Sequence, residues 1–283
     1  MHSEKEKKEI GLFYTKIYQN MLDTLSEEQQ KEYEFYVTRI NDVGVLQLNS
    51  LPLPHLNCTI GLGFKNPVTD NEINKILALS ELHHSVPITF RVSEKLSKPE
   101  NLADLLTSKY NMKYNGKMYC FIRNLEDIPD KKSDIIVKNI NTSPEYQQIF
   151  IDILLKGFEI AEPYATIFAS MTKASFKKEY HESVKNLIAF DKDTPIGVAS
   201  VFIDKESKIA FLGNATTLVE HRGKGAQGAL ISHRLQLAKD SGCKYATVEC
   251  GDDSPEHRNH SYQNILRYGF EIAFANLMYT PEK

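Results

Sequence analysis

One stretch of the chain, residues 209–241, places a β-branched apolar run, a glycine-rich turn and an amphipathic pattern directly after one another. The apolar run ends before Arg222, and glycines follow at positions 223, 225 and 228. We predict a strand over 208–218 and a helix over 226–241 that stops at Gly242. The first N–H groups of a helix lack intrahelical partners and lie at the positive end of its dipole, so they attract anions. Because glycines allow close approach of the backbone, the stretch predicts a phosphate site.

Length and charge bound the organisation of the chain and its partners. At 283 residues it exceeds the usual size of one domain, and we expect two domains, over residues 1–130 and 131–283. Its 34 basic and 37 acidic residues leave a formal net charge of −3. A chain without excess positive charge lacks the electrostatic surface that binds nucleic acid or an anionic membrane, so we expect neither as a partner.

Targeting and redox signals favour a cytoplasmic protein. No apolar run reaches the roughly 18 residues of a membrane helix, and the charged start of the chain does not resemble a signal peptide. The 4 cysteines contain no Cys-x-x-Cys pair, so we expect reduced thiols. The histidine pairs His83-His84 and His257-x-x-His260 lack carboxylate or cysteine partners at ligand spacing, and we therefore expect no metal.

Apolar periodicity divides the earlier part of the chain into helices and strands. The pattern up to residue 26 predicts an amphipathic helix, and two alternating runs on either side of Asn41-Asp42 predict a hairpin. The hairpin strands are 34–40 and 43–48. The other predicted elements here are strands at 57–64, 88–92 and 118–123 and helices at 71–83 and 100–107.

A second series of elements begins at residue 134. A strand at 134–140 leads to a helix at 144–158, and another helix at 168–182 follows the Glu162-Pro163 pair. The later predicted elements are strands at 186–191, 196–204, 208–218, 245–249 and 270–279, with helices at 226–241 and up to 268. The predicted fold class is therefore α/β (α+β), with mixed β-sheets flanked by helices.

The two halves end alike, which indicates an internal duplication. Lys109-Tyr-Asn-Met112 follows a predicted helix and precedes a strand, and Arg267-Tyr-Gly-Phe270 does the same in the later half. The earlier half has no Arg-Gly-x-Gly turn, because its corresponding segment reads Gly63-Phe-Lys-Asn-Pro-Val-Thr. We therefore expect the phosphate site in the later half only.

Two motifs of the later half resemble those of the GNAT N-acetyltransferase superfamily. Arg222-Gly-Lys-Gly-Ala-Gln227 resembles its acyl-CoA loop, and the stretch from Ser261-Tyr-Gln-Asn-Ile to Gly269-Phe270 resembles its second cofactor-facing helix. Both are similar to a bacterial branch with Arg-Gly-x-Gly-Ala-Gln and Ser-Tyr-x-Asn-Ile motifs. The resemblance covers residues 134–280. It implies a tandem GNAT-like fold in which the catalytic copy is C-terminal and the earlier half is a degenerate copy.

This resemblance implies acetyl-CoA as co-substrate. In the superfamily the pyrophosphate lies on the glycine loop, and the pantetheine arm pairs like an added strand with the splayed end of the preceding strand. The later helix also faces the cofactor. The implied cofactor-binding residues are Ala215, Thr216, Thr217, Arg222, Gly223, Lys224, Gly225, Ala226, Gln227, Gly228, Ser261 and Asn264.

The implied reaction is direct transfer of an acetyl group from the CoA sulfur to a primary amine. An amine with a pKa of about 10 is protonated at neutral pH, so a general base must take its proton. We predict Glu249 as this catalytic base; a carboxylate that is solvated or held in a salt bridge is the alternative interpretation. Ile265 stands where many members carry the Tyr that protonates the departing thiolate, so no general acid is assigned. Cys250 has no nearby His to activate it as a nucleophile.

The sequence leaves several alternatives open. An acyl-CoA-binding protein without turnover is the main one, and the missing Tyr favours it. An ATP-binding module is poorly supported, because the chain has no Gly-x-x-x-x-Gly-Lys-[Ser/Thr] pattern. The identity of the amine acceptor, the role of the N-terminal domain and the oligomeric state, a homodimer included, stay open.

Overall fold

The computed structural model describes residues 2–51, 53–82, 86–128, 133–254 and 258–282. The chain forms two compact units, each assembled from separate segments: unit 1 from Met1–Phe121, Glu249–Asn259 and Ile272–Lys283, unit 2 from Ile122–Val248 and His260–Glu271. His83, His84 and His257 and the expected domain boundary between residues 130 and 131 lie outside the described residues. Among the described helices, none is both long enough and apolar enough to cross a membrane.

The first part of the chain alternates helices and strands. Its elements are α1 (Glu4–Asp23), α2 (Glu27–Glu32), β1 (Phe35–Ile40), β2 (Val43–Leu48), β3 (Cys58–Ile60), α3 (Asp70–Leu82), β4 (Phe90–Ser93), α4 (Leu102–Ser108) and β5 (Met112–Asn124).

The second part continues with β6 (Ile136–Asn139), α5 (Pro144–Gly157), α6 (Tyr164–Ala174), β7 (Val184–Asp191), β8 (Thr194–Asp204), β9 (Ile209–Thr217), α7 (Ala226–Asp240), β10 (Tyr245–Gly251), α8 (His260–Arg267) and β11 (Glu271–Pro281). Short 3-10 turns lie at Lys178–Tyr180 and Val219–His221.

Unit 1 contains an antiparallel sheet in the order β1-β2-β3, and strands in the order β4-β11-β5. Asn41 makes the predicted hairpin turn with φ +52°, a left-handed conformation that Asn tolerates. A parallel bridge joins Cys58 to Thr89 just before β4. The apolar core of this unit includes Val43, Val45, Leu62, Ile73, Ile76, Phe90, Leu106 and Tyr279.

In unit 2 the strands run in the order β10-β9-β8-β7-β6. Neighbours are antiparallel except for the parallel pair β9 and β10. Alternation along β7 places Ile188 against Phe150 of α5, whereas Leu187 packs with Leu230 of α7. Helices therefore cover both faces of the sheet, which explains why most positions of β7 and β8 are buried.

The same order of elements occurs twice. β1-β2-β3-α3-β4-α4-β5 matches β7-β8-β9-α7-β10-α8-β11. A left-handed residue follows α4 and α8 in the same way, Asn111 with φ +48° and Gly269 with φ +73°. This repetition confirms the predicted class, a tandem α/β fold of mixed sheets flanked by helices.

Candidate functional site

Strand β9 contains a bulge. It pairs antiparallel with β8 over its whole length, but the register changes from Ser200↔Gly213 to Val198↔Thr216. Two steps along β8 therefore match three steps along β9, so β9 has one extra residue. Asn214 lies in this interval with φ +51°. An extra residue of this kind bends a strand and increases its twist.

Strands β9 and β10 separate after this point. Their parallel pairing covers Ile209↔Tyr245 to Phe211↔Thr247 and goes no further. From residue 212 to Thr217 the side of β9 away from β8 has no strand partner among the residues that the structure describes. Such an edge presents free N–H and C=O groups to an extended ligand. Ala215, Thr216 and Thr217 lie on it, each half-buried.

The turn after β9 is open at its glycines. Gly223 and Gly225 have φ +83° and +87°, and a Cβ at either position would have no atom within 4 Å. Gly225 is the N-cap of α7 and supplies no side-chain cap. The first intrahelical bond of α7 runs from the Ala229 N–H to the Gly225 carbonyl at 3.0 Å. The backbone at positions 226–228 thus precedes the helical ladder and has the geometry of an anion cradle.

Cationic side chains flank this turn. Arg222 and Lys224 are both exposed. The Lys224 Nζ lies 2.9 Å from an Asp191 carboxylate oxygen, and this hydrogen bond holds the pKa of Asp191 below its usual value. The Arg222 Nε donates to the Thr217 carbonyl at 3.4 Å. Positive charge thus accompanies the positive end of the α7 dipole.

Three of the implied cofactor residues hydrogen-bond to one another. The Gln227 Nε2 donates to the Ser261 Oγ at 2.9 Å, and the Asn264 Nδ2 donates to the Gln227 Oε1. These bonds join the first turn of α7 to α8. They give a structural reason for a glutamine where the general motif has a small residue.

Two neighbouring residues have packing roles. A Cβ at Gly228 would lie 2.5 Å from the Tyr268 Oη, so glycine is required for this contact of α7 with α8. The motif does not reveal this contact. Ile265 is 5% exposed and belongs to the interior.

Glu249 takes part in a buried ion pair within unit 1. Its Oε1 lies 2.9 Å from the Arg91 Nη1, and the side chains are 11% and 3% exposed. The Arg91 Nη2 donates to the His55 carbonyl at 3.2 Å. Burial, reinforced by the negative charge of Glu249, raises the pKa of Tyr18 far above its usual value. Of the two forms of the alternative interpretation of Glu249, solvated or salt-bridged, the salt bridge is therefore present.

A cavity of about 10 Å³ adjoins this ion pair and is lined by Tyr14, Arg91, Glu249 and Asn276, among others. This volume accommodates roughly one water molecule. A general base acts either directly or through one water. A base that acts through one water molecule is compatible with the burial of Glu249.

The described residues provide neither a reactive thiol nor a metal site. All four cysteines are free and buried. Burial raises the pKa of Cys250 to about 11, and the Asn259 Nδ2 donates to its sulfur at 3.3 Å. A thiol with so high a pKa is a poor nucleophile. Within the described ranges no three or more His, Cys, Asp or Glu side chains are grouped to hold a metal ion.

Unit 1 contains the counterpart of this turn between β3 and α3, and its own side chains close it. The Glu72 Oε2 accepts from the Thr69 N–H at 2.8 Å, and the Thr69 Oγ1 accepts from the Glu72 N–H at 3.3 Å. The Val68 N–H donates to the Lys98 carbonyl at 2.9 Å. These N–H groups already have acceptors, so they do not form an anion cradle like that of α7.

Helix α1 fills the space next to the same turn. A Cβ at Gly61 would lie 2.7 Å from the Leu12 Cδ2, and one at Gly11 would collide with the Phe64 ring. Phe64 in turn meets Phe274 edge to face, with ring centroids 5.4 Å apart. In unit 1, side chains therefore fill the space beside the turn after β3. The corresponding space beside the turn after β9 is open.

A protein-family model matches part of the chain. Residues 145–264 match the model of the Acetyltransferase (GNAT) family. The matched range runs from α5 to α8 and includes the glycine turn. No curated protein sequence matches the chain.

Solved structures share the fold over most of the chain. A GCN5-related N-acetyltransferase from Kribbella flavida has a TM-score of 0.59 at 15% identity, with 90% of this chain and 94% of that one covered. For a GCN5-related N-acetyltransferase from Sphaerobacter thermophilus the values are 0.60, 11%, 84% and 75%. For a tandem GNAT protein from the clavulanic acid biosynthesis pathway they are 0.53, 14%, 74% and 68%.

Proposed function

We propose that the chain is an N-acetyltransferase that uses acetyl-CoA, on the premise that residues 145–264 match the GNAT acetyltransferase family. The acceptor is a primary amine. The observation that carries the proposal is the open turn after β9, next to a strand edge that no other described strand pairs with.

We assign the diphosphate of acetyl-CoA to the backbone from Arg222 to Gly228. Left-handed Gly223 and Gly225 keep side chains out of this volume, and the first turn of α7 lacks a side-chain cap. In addition, the Arg222 side chain supplies positive charge that no ion pair of the described residues neutralises. Free helix N–H groups next to a cation bind phosphate oxygens well.

The pantetheine arm follows the free edge of β9. Its amide groups would pair with the backbone of Ala215, Thr216 and Thr217, which is exposed to a ligand because β10 has turned away. Ser261 and Asn264 face the same coenzyme from α8. Their bonds with Gln227 fix these polar groups before the coenzyme arrives, which lowers the entropic cost of binding.

Acetyl-CoA supplies a thioester: the amine nitrogen forms a bond to the acyl carbon, the carbon–sulfur bond breaks, and the thiolate leaves. We propose that Glu249 takes the proton from the ammonium group through one water molecule. Its ion pair with Arg91 fixes the orientation of the carboxylate. The leaving thiolate takes its proton from solvent, since a thiol pKa of about 8.5 needs no dedicated acid. The reduced cysteines suit the cytoplasm as the site of this reaction.

The experiment is a thiol-release assay with acetyl-CoA and a panel of small amines, polyamines and peptide N-termini, with the acetylated product identified by mass spectrometry. We expect release that depends on the amine. Thermal stabilisation by CoA without thiol release for any amine would favour the second candidate, an acyl-CoA-binding protein without turnover. The interior position of Ile265 is the observation in favour of that candidate. Stronger stabilisation by ATP than by CoA would contradict both.

A further inference from the structure

We propose that Arg234 is a positioning residue for the pantetheine arm: it holds the bulge of β9 in the register that keeps residues 215–217 on the free edge. This inference rests on the proposed function, because it concerns the same binding site.

Arg234 extends from the middle of α7 into the interior and is 2% exposed. Its Nη1 donates to the Ser200 carbonyl at 3.4 Å and to the Gly213 carbonyl at 3.3 Å, and its Nε donates to the Leu230 carbonyl at 3.1 Å. Ser200 and Gly213 are the paired residues of β8 and β9 at which the register begins to change. The guanidinium thus bonds to both strands at the start of the bulge.

The bulge creates a need for such donors. An extra residue interrupts the ladder and leaves backbone groups without strand partners, and an unpaired buried carbonyl is costly. A guanidinium presents several N–H groups in one rigid plane and can serve two strands and its own helix together. A lysine has a single flexible ammonium group and cannot reproduce this geometry.

The charge of Arg234 argues against a role in packing alone. Burial lowers its pKa to about 9, and no charged neighbour in the described part of the chain offsets this effect. The side chain remains protonated at neutral pH, so backbone carbonyl oxygens hold a buried cation. An apolar side chain of similar volume would fill the space without this desolvation cost. We infer that arginine, rather than an apolar side chain, occupies this position because it donates hydrogen bonds to the carbonyl groups at the bulge.

A chain of side-chain hydrogen bonds also contacts the bulge and supplements the bonds of Arg234. The Asn214 Nδ2 donates to the Ser200 Oγ at 3.5 Å, which in turn donates to the Asn186 Oδ1 at 2.7 Å. The Asn186 N–H donates to the Asn141 Oδ1 at 2.7 Å. The bulge residue is therefore connected to β8 and β7 by side chains that are mostly buried.

The register of the bulge decides which backbone groups face the coenzyme. Successive residues of an antiparallel strand direct their N–H and C=O groups to opposite edges. A shift by one residue would exchange the groups on the free edge with those that face β8. The pantetheine amides would then lose their partners, whereas the glycine turn and its phosphate contacts would remain.

Two ligands separate the pantetheine contacts at β9 from the phosphate contacts at the glycine turn. They are CoA itself and its phosphorylated adenosine diphosphate portion, which carries the phosphates but lacks the pantetheine arm. We expect Arg234→Met to weaken CoA binding by about tenfold or more, which corresponds to one or two lost hydrogen bonds. Binding of the fragment should stay unchanged. Leu235→Ala is the matched control, because Leu235 is its fully buried neighbour on α7; it should lower stability and leave both affinities unchanged. Affinities are measured by calorimetry below the melting temperature of each variant.

Arg234→Lys provides the second variant, and it carries the test if Arg234→Met does not fold. It keeps the positive charge, and we expect a selective loss of CoA affinity that is smaller than the loss in Arg234→Met. Equal weakening of both ligands, an unchanged CoA affinity in the arginine variants, or the same selective loss in Leu235→Ala would overturn the proposal. A wild-type protein that binds neither ligand would contradict the proposed function instead.

Discussion

At the scale of single residues, two buried arginines organise what the motifs do not reveal. Arg91 pairs with Glu249, which lies 158 positions away in the chain, and Arg234 bonds to carbonyls of two strands. In the sequence neither arginine belongs to a recognised motif, so nothing local identifies its partner. The glycines of the turn, by contrast, could be assigned from the motif because local backbone geometry requires them.

Glu249→Gln tests the proposed base. The amide cannot take a proton, so kcat should fall by about a hundredfold or more, with unchanged affinity for acetyl-CoA. Steady-state kinetics and calorimetric binding provide the two measurements.

Glu220→Gln is the control for that substitution. Glu220 is exposed, and its Oε1 lies 2.7 Å from the Lys156 Nζ, so the same chemical change there should leave kcat unaffected. Equal rates for Glu249→Gln and the wild type would show that another base, or none, acts. A loss of coenzyme binding in Glu249→Gln would likewise contradict a purely catalytic role.

The thiols of the native protein should be inert. Burial raises the pKa values of Cys58, Cys243 and Cys250 to about 11, so only about one thiol in a thousand is ionised at pH 8. An aromatic disulfide reagent should label none of the four cysteines rapidly in the native state and all four in denaturant. Rapid labelling of Cys250 would revive an acyl-cysteine intermediate.

At the scale of elements, strong periodicity predicted most helices and strands, and local backbone effects explain the errors. The hairpin and α7 agree with prediction to within a residue or two. β3 ends at Ile60 rather than Phe64 because Gly61 and Gly63 adopt φ +71° and +73°, outside the β region. α2 was not predicted, although Ser26 and Gln29 form a capping box at its start.

Two other boundaries were wrong for a different reason. α6 spans Tyr164–Ala174 instead of 168–182, because apolar spacing continues past the helix through Phe176 and suggests a longer element. β5 begins at Met112 rather than Met118. Its first half is polar and contains Gly116, so it resembles a turn in the sequence although it pairs as a strand.

Close packing of α5 on β9 leads to a prediction for Gly157. A Cβ there would collide with the Thr216 side chain, so Gly157→Ala should push α5 away from the free edge. Overpacking destabilises a protein by about 1–3 kcal/mol, whereas replacing glycine by alanine in a helix stabilises it by up to about 1 kcal/mol. The free energy of unfolding should therefore fall. Coenzyme affinity should fall with it. Adding Thr216→Ala should restore part of both; no change in urea unfolding would contradict the packing.

At the scale of the whole molecule, the chain contains the same order of elements twice, but the two copies differ in one turn. The turn after β9 is open at its glycines, whereas side chains close the turn after β3. The motif comparison alone indicated that only the later half would bind a phosphate. A Thr69–Glu72 capping box and helix α1 close the turn of unit 1. The sequence did not predict this closure, because it depends on contacts between distant segments. The sequence does not reveal the identity of the acceptor either, since loop side chains of several elements define an acceptor pocket.

This difference predicts the stoichiometry. Since the N–H groups at the start of α3 already have acceptors, each chain should bind one molecule of acetyl-CoA. Calorimetric titration should therefore give one site per chain. Glu72→Gln, which weakens the capping box, should leave that number at one. Two equivalent sites per chain in the wild-type protein would contradict the account of unit 1.

The most direct test of the central claim compares two glycines at opposite ends of α7. Gly225 and Gly242 have φ +87° and +83°, and a Cβ at either would meet no atom within 4 Å. Gly225→Asp and Gly242→Asp each strain a left-handed backbone position, but only the first puts a carboxylate at the proposed diphosphate site. Calorimetry should show acetyl-CoA affinity lost by about a hundredfold or more in Gly225→Asp and unchanged in Gly242→Asp. Undiminished affinity in Gly225→Asp would contradict the claim that this turn holds the coenzyme.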